Sequence, residues 1–493
     1  MASAGVRRAV PRCVRMVAGL LAAFAFSGCY VMRPSNGAGQ TQFAPPRHND
    51  PADIAVLKGY RIQPVATGLT FPTGVAFDDQ GRPHVVESGY SYGEKWTTPR
   101  LLRIKASGAV TELARGARNG PWTGVAFHQN AFYVAEGGVL EGGRILRITS
   151  DGHITALVSN LPSFGDHHVN GPVVSTDGWI YFSIGTASNS GVVGEDNAEF
   201  GWLKRQPRFH DLPGQDITLT GENFDSANPL DRSGRRARTG AFLPFGTSSS
   251  AGQTVKGQFP CGGSVMRMRP DGSGLELVAW GFRNPFGLAF RPDGQLFVTE
   301  NSYDERGSRP VWGTPDVLWK VERGVWYGWP DFAAGLPLHE QKRFQPPFKA
   351  RPKFLLASHP NPPPQPAALF DVHSSANGFD FSRNPAFGFA GQPFLALFGD
   401  EAPAVGKVLS PVGSKVVRVD LETGVVQEFA VNYGRVNAPA SKLKSGGLER
   451  PVAVRFNPSG DALYIVDFGV LTHTKKGAQP HPGTGVLWRI SRG

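Results

Sequence analysis

One short pattern recurs six times along this chain, and it restricts the possible folds more than any other feature. In its clearest copy, the apolar run Phe286–Phe290 meets a Pro-Asp-Gly turn, and a second apolar run leads to Glu300 and Asn301. Gly294 supplies the positive φ of the turn, so the copy is typical of a β-hairpin. The copies are Phe71–Glu87, Gly120–Glu136, Asn170–Gly185, Phe282–Asn301, Asn377–Phe398 and Arg450–Asp467.

Further short apolar runs lie between the copies and give each repeat about four strands. The first repeats are 50 and 48 residues apart, from Val75 to Val125 to Val173. Self-similarity at this period is typical of a propeller, whose radial closure hides the sheet edges. We therefore predict an all-β protein: a six-bladed β-propeller with four-stranded antiparallel blades. The strands Arg61–Ala66 and Val486–Ile490 are left over, so we expect them to share one blade and close the ring.

The predicted propeller spans residues 56–493 and contains two long insertions, at about 189–259 and 330–366. The first is rich in Gly, Ser, Asn and Arg without a clear core pattern, and the second is rich in Pro. Long irregular segments in a compact domain are usually functional rims or are disordered.

The first 28 residues have the features of a lipoprotein-type signal peptide. Four arginines precede an apolar run at 16–26, which is too short to span a bilayer, and Phe26-Ser27-Gly28-Cys29 follows. Small residues before a cysteine are similar to a bacterial lipobox, so we expect lipidation of Cys29, with plain secretion as the alternative. Residues 29–55 then form a flexible tether. These features predict an exported protein, in the periplasm or on the outer surface, anchored to a membrane surface by lipid.

Charge and cysteine content limit the partners. The net charge is +11, and residues 1–28 carry four arginines and no acid, so the remainder carries 11 − 4 = +7. That balance does not require nucleic acid, and export argues against it. With Cys29 lipidated and Cys13 removed with the signal, Cys261 is alone, so no intrachain disulfide is expected.

Ligand sites of propellers lie at one end of the central channel, on the residues that enter the inner strands. Candidates there are Asp166-His167-His168, Arg283-Asn284, His373 and Arg450. An adjacent Asp could orient a histidine as a general base, although an Asp-His-His loop is more often solvent-facing or a stray metal site. The segment Glu300–Glu305 could provide oxygen ligands for Ca²⁺ or form a solvated acidic turn.

Several of these motifs, in this order, resemble the glucose/sorbosone dehydrogenase family. They are Gly165–His168, Trp280–Leu288, Glu300-Asn301 and Tyr327–Pro330. Characterised members of that family are six-bladed propellers and include soluble quinoprotein sugar dehydrogenases that use pyrroloquinoline quinone (PQQ) and Ca²⁺. The resemblance implies an exported dehydrogenase that oxidises a hydroxyl of a sugar or other alcohol, with hydride transfer to Ca²⁺-bound PQQ.

The resemblance also implies roles for individual residues. His167, beside Asp166, would be the catalytic base, and Arg283 would act at the reacting atoms. Contacts to the cofactor would come from Arg283, Asn284, Arg450 and His168. The turn carbonyls of Ser302 and Tyr303 would hold the bridging Ca²⁺, and Asp304, Glu305 and Asp316 would lie near the family's structural calcium cluster.

The chain departs from the family at the positions of two cofactor-binding cations. Phe398-Gly399-Asp400 stands where a lysine is expected, and Val452 replaces an arginine. Cations that could substitute are Arg306, Arg309 and the run Arg235-Arg236-Arg238. Loss of cations favours a non-catalytic cell-surface propeller that binds carbohydrate or protein. A metal-dependent lactonase-type propeller is a third hypothesis, because acids recur at strand ends: Glu87, Glu136, Glu300 and Asp467. The sequence does not identify the electron acceptor.

Overall fold

A computed structural model describes residues 42–91, 95–402, 406, 408, 410–474 and 477–493. The predicted signal peptide and Cys29 lie outside the described residues. No helix in the described part of the chain is both long enough and apolar enough to cross a membrane.

Strands account for nearly all of the regular structure. The strands of the first half are β1 (Ile54–Val56), β2 (Tyr60–Leu69), β3 (Pro72–Phe77), β4 (Pro83–Glu87), β5 (Tyr90–Ser91), β6 (Lys95–Trp96), β7 (Arg100–Ile104), β8 (Val110–Arg115), β9 (Trp122–His128), β10 (Ala131–Glu136), β11 (Gly143–Thr149), β12 (Ile154–Leu161), β13 (Val169–Val174), β14 (Ile180–Ile184), β15 (Ile217–Thr218), β16 (Asn223–Ala227), β17 (Arg236–Gly240) and β18 (Thr254–Val255).

The remaining strands are β19 (Ser264–Met268), β20 (Glu276–Trp280), β21 (Asn284–Phe290), β22 (Leu296–Asn301), β23 (Pro315–Lys320), β24 (Phe332–Ala333), β25 (Leu336–Pro337), β26 (Ala368–Val372), β27 (Ala376–Phe381), β28 (Pro393–Leu397), β29 (Lys415–Val419), β30 (Val426–Asn432), β31 (Pro451–Phe456), β32 (Ala462–Asp467), β33 (Leu471–Thr474), β34 (Gly477–Pro480) and β35 (Gly485–Arg492). Short helices are α1 (Asp196–Glu199), α2 (Trp202–Arg205) and α3 (Ala440–Leu443), with 3₁₀ turns at Pro51–Asp53 and Lys342–Phe344.

Six antiparallel sheets form the predicted six-bladed propeller. In the order inner to outer strand, the blades are β3-β4-β7-β8, β9-β10-β11-β12, β13-β14-β19-β20, β21-β22-β23-β26, β27-β28-β29-β30-β1 and β31-β32-β35-β2. The inner strands β3, β9, β13, β21, β27 and β31 contact one another around the axis. Each hairpin predicted from the repeat is the inner pair of one blade.

The ring closes as the leftover strands predict. β2 pairs antiparallel with β35, with Ile62 opposite Ile490, so the sixth blade joins the beginning of the chain to its end. Apolar side chains from neighbouring blades fill the space between the sheets, and Trp488 and Leu463 of the sixth blade are fully buried there.

The end of the predicted tether is ordered on the propeller. β1 extends the fifth blade, with Ala55 opposite Val431. Arg47 is only 9% exposed, and its Nη2 lies 2.6 Å from Oδ2 of Asp467. The segment from residue 42 to residue 55 is therefore packed against the fifth and sixth blades.

The two insertions share an apolar core that their sequences did not indicate. Ile217 and Phe242 of the first pack with Trp326, Trp329 and Leu355 around the second. A buried ion pair between Arg309 and Asp331, 3.2 Å apart, fixes the second insertion to the loop that follows β22. Together the insertions build up the outside of the third and fourth blades.

Candidate active site

A cavity of about 210 Å³ opens at one end of the propeller axis. Residues at the beginning of the six inner strands line it: Thr73, Thr123, Asn170, Asn284, Asn377 and Val452. The residues that enter the inner strands therefore converge, as expected for a propeller site. His167, His168, Arg283, Asn284, Asp166, Ser302, Asp304, Asp316 and His373 all contribute to this wall.

His167 has the hydrogen bonding of a neutral base. Its Nδ1 lies 3.0 Å from the carbonyl oxygen of Thr186 and 3.1 Å from Oγ1 of the same residue. The Thr186 hydroxyl donates its own hydrogen to the carbonyl of Ser188, so both groups facing Nδ1 are acceptors. The ring proton is therefore on Nδ1, and Nε2 is unprotonated. Burial, together with the charges of Arg283 and Arg306, holds the pKa of His167 well below its usual value.

Asp166 is directed into a charge network. Its carboxylate accepts hydrogen bonds from Asn197 Nδ2 at 3.0 Å and Trp202 Nε1 at 2.6 Å, and it pairs with Arg306 at 2.8 Å. The residue bonded to Nδ1 of His167 is thus Thr186. The sequence signal for this role is the position of Thr186 two residues after β14, where the end of that strand meets the cavity.

Arg306 is the centre of the network. Its Nη2 binds Asp166 at 2.8 Å, its Nη1 binds Asp196 at 2.6 Å, and its Nε binds Asp304 at 2.9 Å. Burial raises the pKa of Asp196 to about 6, against the opposing effect of Arg306. One buried guanidinium therefore contacts three carboxylates, of which Asp304 also pairs with Arg283.

Most N–H groups of the Arg283 guanidinium bond to other groups of the protein. Nη2 pairs with Asp304 at 2.7 Å, Nε donates to the carbonyl of Asn189 at 3.1 Å, and Nη1 donates to the carbonyl of Asn301 at 3.1 Å. Asn284 is half-buried, and its Nδ2 donates to Oδ1 of Asn301 at 3.1 Å. The predicted Arg-Asn pair therefore lies in the wall next to His167, fixed by the loop after β22.

His168, the residue after His167, also lines the cavity. Burial lowers the pKa of His168 to about 4, so this ring is also neutral. Its ring contacts the edge of Tyr90, with centroids 6.3 Å apart. Tyr90 belongs to the short hairpin β5–β6, which sequence analysis did not identify.

The residues predicted to hold calcium have other partners. Oδ1 of Asp316 accepts from the backbone N of Ser302 at 2.9 Å, and Glu305 Oε2 pairs with His373 Nε2 at 2.8 Å. The carbonyl of Tyr303 accepts from Thr314 Oγ1 at 3.2 Å. Within the ranges described, no group of three or more His, Cys, Asp or Glu side chains is arranged to hold a metal ion. The calcium assignment therefore remains a prediction.

Arg450 lies behind the cavity wall. It is completely buried, and Nη1 donates to the carbonyl of Asp400 at 2.8 Å while its guanidinium lies 5.2 Å from the ring centroid of Phe398. Phe398 lines the cavity in front of it. This side of the cavity is mainly apolar, with Phe398, Val452, Phe468 and Leu471, and it also contains the acidic residue Glu401.

The acidic side chains at the strand ends accept hydrogen bonds from residues close to them in the fold. Glu136 accepts from Trp122 Nε1 at 3.1 Å, Glu300 accepts from Trp319 Nε1 at 2.5 Å, and Asp467 accepts from the backbone N of Arg450 at 2.8 Å. Glu87 accepts from the backbone N of Thr70 at 2.7 Å. Each of these carboxylates makes a structural contact of a kind that recurs from blade to blade. They therefore do not form the ligand set that a lactonase-type site requires.

No family model matches the chain, and no curated protein is significantly similar to it in sequence. Solved structures are similar over almost the whole chain. A family AA12 carbohydrate-active enzyme of Trichoderma reesei is 15% identical, with a TM-score of 0.55 over 92% of this chain and 100% of that one. The PQQ domain of pyranose dehydrogenase from Coprinopsis cinerea is 16% identical, with a TM-score of 0.54 over 91% and 98%. This chain has the fold of the PQQ-dependent sugar dehydrogenases.

A third structure with this dehydrogenase fold, the soluble aldose sugar dehydrogenase of Escherichia coli, is 15% identical with a TM-score of 0.50 over 88% of this chain and 100% of that one. These comparisons confirm the predicted resemblance as a likeness of fold. Residue roles have to be judged from the chemistry of the cavity itself.

The two sides of the cavity differ in how well they suit PQQ. On the polar side, the N–H groups of Asn284 and Arg283 are donors that fit the reactive oxygens of a quinone, and the unprotonated Nε2 of His167 beside them is an acceptor for a substrate hydroxyl. The cofactor also carries three carboxylates, which require cations. Arg283 and Arg306 already face carboxylates of the protein, and the side around Phe398 is mainly apolar and carries the acid Glu401. The described residues therefore fit the reactive end of the cofactor. For the cofactor's carboxylates, however, the described lining provides no cation that is not already paired with a carboxylate of the protein.

Proposed function

We propose that this protein is an exported oxidoreductase that oxidises a hydroxyl group of a sugar or another alcohol in the cavity. The observation that carries the proposal is the state of His167, a buried neutral imidazole in the cavity wall. Its Nδ1 donates to Thr186, and no hydrogen-bond partner of Nε2 is found among the described residues. An unprotonated nitrogen in this position is suited to accept the proton of a substrate hydroxyl.

The surrounding residues support this role. Thr186 fixes the ring in the reactive tautomer, and Arg283 and Arg306 disfavour the imidazolium. The ring therefore stays unprotonated in mildly acid surroundings, and a proton taken from a substrate is readily passed on. The aromatic rings of Phe398 and Phe468 reduce the access of water from the other side.

The proposal includes PQQ and Ca²⁺ as cofactors. PQQ supplies a hydride acceptor when it is bound. Asn284 and Arg283 would hold its reactive oxygens, and the carbonyls of Ser302 and Tyr303 would contact the ion. Export and lipidation of Cys29 are likewise proposed, with the arginines and the apolar run before it as support. The electron acceptor after PQQ is not assigned.

The test combines cofactor binding, sugar binding and turnover on the full chain. PQQ is titrated with and without Ca²⁺, and dye reduction is followed with a panel of aldoses and ketoses. His167→Gln is expected to keep sugar binding and to lose at least about 100-fold in turnover, because general base catalysis contributes that much. His153→Gln, at an exposed turn, is the matched control and should behave as the unmodified protein. Equal turnover of both variants would refute the role of His167.

A second candidate is a propeller that binds carbohydrate without oxidising it. Arg283 and Arg306 pair with carboxylates of the protein, so they are not available to bind the carboxylates of PQQ. This observation specifically favours the second candidate. Sugar binding without saturable binding of PQQ at micromolar concentration, with or without Ca²⁺, would establish this candidate. Absence of both kinds of binding would exclude the two candidates together.

A further inference from the structure

The second insertion carries an exposed loop of unusual composition. Residues 342–353, here called the basic loop, contain five Lys or Arg residues and no Asp or Glu. At its tip, Phe348 is 93% exposed, the largest exposure among the large apolar residues described. At its base, Phe344 is completely buried in the core shared by the insertions. One aromatic ring therefore anchors the loop while a second one is held in solvent.

The loop has a defined conformation, and most of its charge is uncompensated. Gln345 Nε2 donates to the carbonyl of Lys349 at 2.7 Å, and the backbone N of Lys349 donates to the carbonyl of Pro346 at 3.2 Å. Lys353 pairs with Glu222 at 2.9 Å. The other four cations are exposed and form no ion pair with any described residue: Lys342, Arg343, Lys349 and Arg351.

The basic loop is fixed to the end of the propeller that contains the cavity. The backbone N of Trp312 donates to the carbonyl of Phe344 at 3.1 Å, and Arg309 Nη2 donates to the carbonyl of Lys353 at 2.7 Å. Trp312 and Arg309 belong to the loop after β22, which also supplies Ser302 and Arg306 to the cavity wall.

The N-terminal segment leaves the propeller at the same end. Arg47 binds Asp467, at the end of β32, and the carbonyl of Thr484, just before β35. Phe43 contacts the ring of His481 at 5.0 Å. Cys29 precedes Gln42, the first described residue, by 13 residues, which span at most about 45 Å when extended. A lipid on Cys29 would therefore keep this end of the propeller near a membrane.

We propose that the cavity end of the propeller docks on an anionic lipid bilayer through the basic loop. The cations contact lipid phosphates, and Phe348 enters the interface between headgroups and acyl chains. The combination of unpaired cations with one protruding aromatic ring favours a lipid surface over a purely electrostatic polyanion. The inference does not depend on the oxidation proposed above. It implies that the mouth of the cavity opens toward the membrane surface.

The test uses the full chain with Cys29→Ser, so that binding does not depend on the lipid. Sedimentation is measured with vesicles of phosphatidylglycerol and phosphatidylcholine and with vesicles of phosphatidylcholine alone. Binding is expected only with the anionic vesicles. Lys349→Glu with Arg351→Glu should weaken it at least about 25-fold, since each cation near an anionic surface contributes roughly fivefold. Phe348→Ser should weaken it at both low and high salt.

The matched control reverses two exposed cations at the opposite end of the propeller, Lys58→Glu and Lys105→Glu. This pair has the same net charge as the loop variant, so it separates a local contact from a general effect of charge. Equal losses in both variants would overturn the proposal. Binding to a soluble sulfated polysaccharide as tight as to the vesicles, unaffected by Phe348→Ser, would also overturn it and indicate a polyanion partner.

Discussion

Replacement of Arg306 by methionine tests whether the charge network beside the cavity is essential to the fold. The variant keeps most of the side-chain volume and removes three contacts of 2.6–2.9 Å to Asp166, Asp196 and Asp304. Asp304 keeps Arg283, so two buried carboxylates lose their cation. Removing one partner of a buried ion pair costs about 3–5 kcal/mol, so we expect a loss of this size in the free energy of unfolding at pH 7.5.

The loss should depend on pH with a definite sign. Burial already raises the pKa of Asp196 to about 6, and without Arg306 that pKa rises further. A carboxyl group whose pKa is raised in the folded state destabilises the fold as pH rises through that pKa. The variant should therefore recover part of its stability at pH 5, where Asp196 becomes neutral.

Urea unfolding followed by tryptophan fluorescence at pH 7.5 and pH 5 measures both effects. The control is Arg323→Met, because Arg323 is 57% exposed and pairs with Glu276 at the surface. Exposed pairs contribute about 0–1 kcal/mol, so this variant should lose little at either pH. An equal loss in the two variants, or a loss at Arg306 that does not change with pH, would refute the reasoning.

Two further predictions concern the cavity and its support. Val452→Arg places a cation on the apolar side of the cavity. It should tighten Ca²⁺-dependent PQQ binding about tenfold or more in calorimetric titration, which is the effect of one charge-assisted hydrogen bond. The same gain from Val452→Met would contradict the electrostatic explanation. Burial raises the pKa of Glu300 to about 7, so its contribution to stability is present below about pH 4.5 and lost as pH rises through 7. The melting temperature of Glu300→Gln should consequently fall less between pH 5.5 and 8.5 than that of the unmodified protein, and an equal fall would contradict this.

The fold could be predicted because its signal is local and repeated. Each hairpin carries its own turn, such as the one at Gly294, and the leftover strands at the two ends identify the closing blade. The shared core of the insertions could not be predicted, because Phe242 and Trp326 are far apart in sequence and lie in segments without periodicity. Contacts between such segments leave no local signal in the sequence.

The candidate site was predictable in its position and less so in its partners. His167 and Arg283 reach one cavity because both enter inner strands at the same end of the ring. The orientation of His167 by Thr186, and the burial of Arg450 behind Phe398, depend on the paths of loops. Those paths follow from packing between blades, which a local motif does not specify.

Ring closure by the two ends of the chain has a consequence for biosynthesis. β32 pairs with β31 but lacks its outer neighbour until β35 has been made, and β2, which is made early, has no partner before β35. The buried pair of Arg47 with Asp467 joins residues 420 positions apart, so it too forms late. The nascent chain therefore exposes unpaired strand edges until β35 emerges, and such edges are sites of aggregation. In the export that we propose, passage in an extended state through a translocation channel, followed by closure on the far side, would confine that vulnerable period to one compartment.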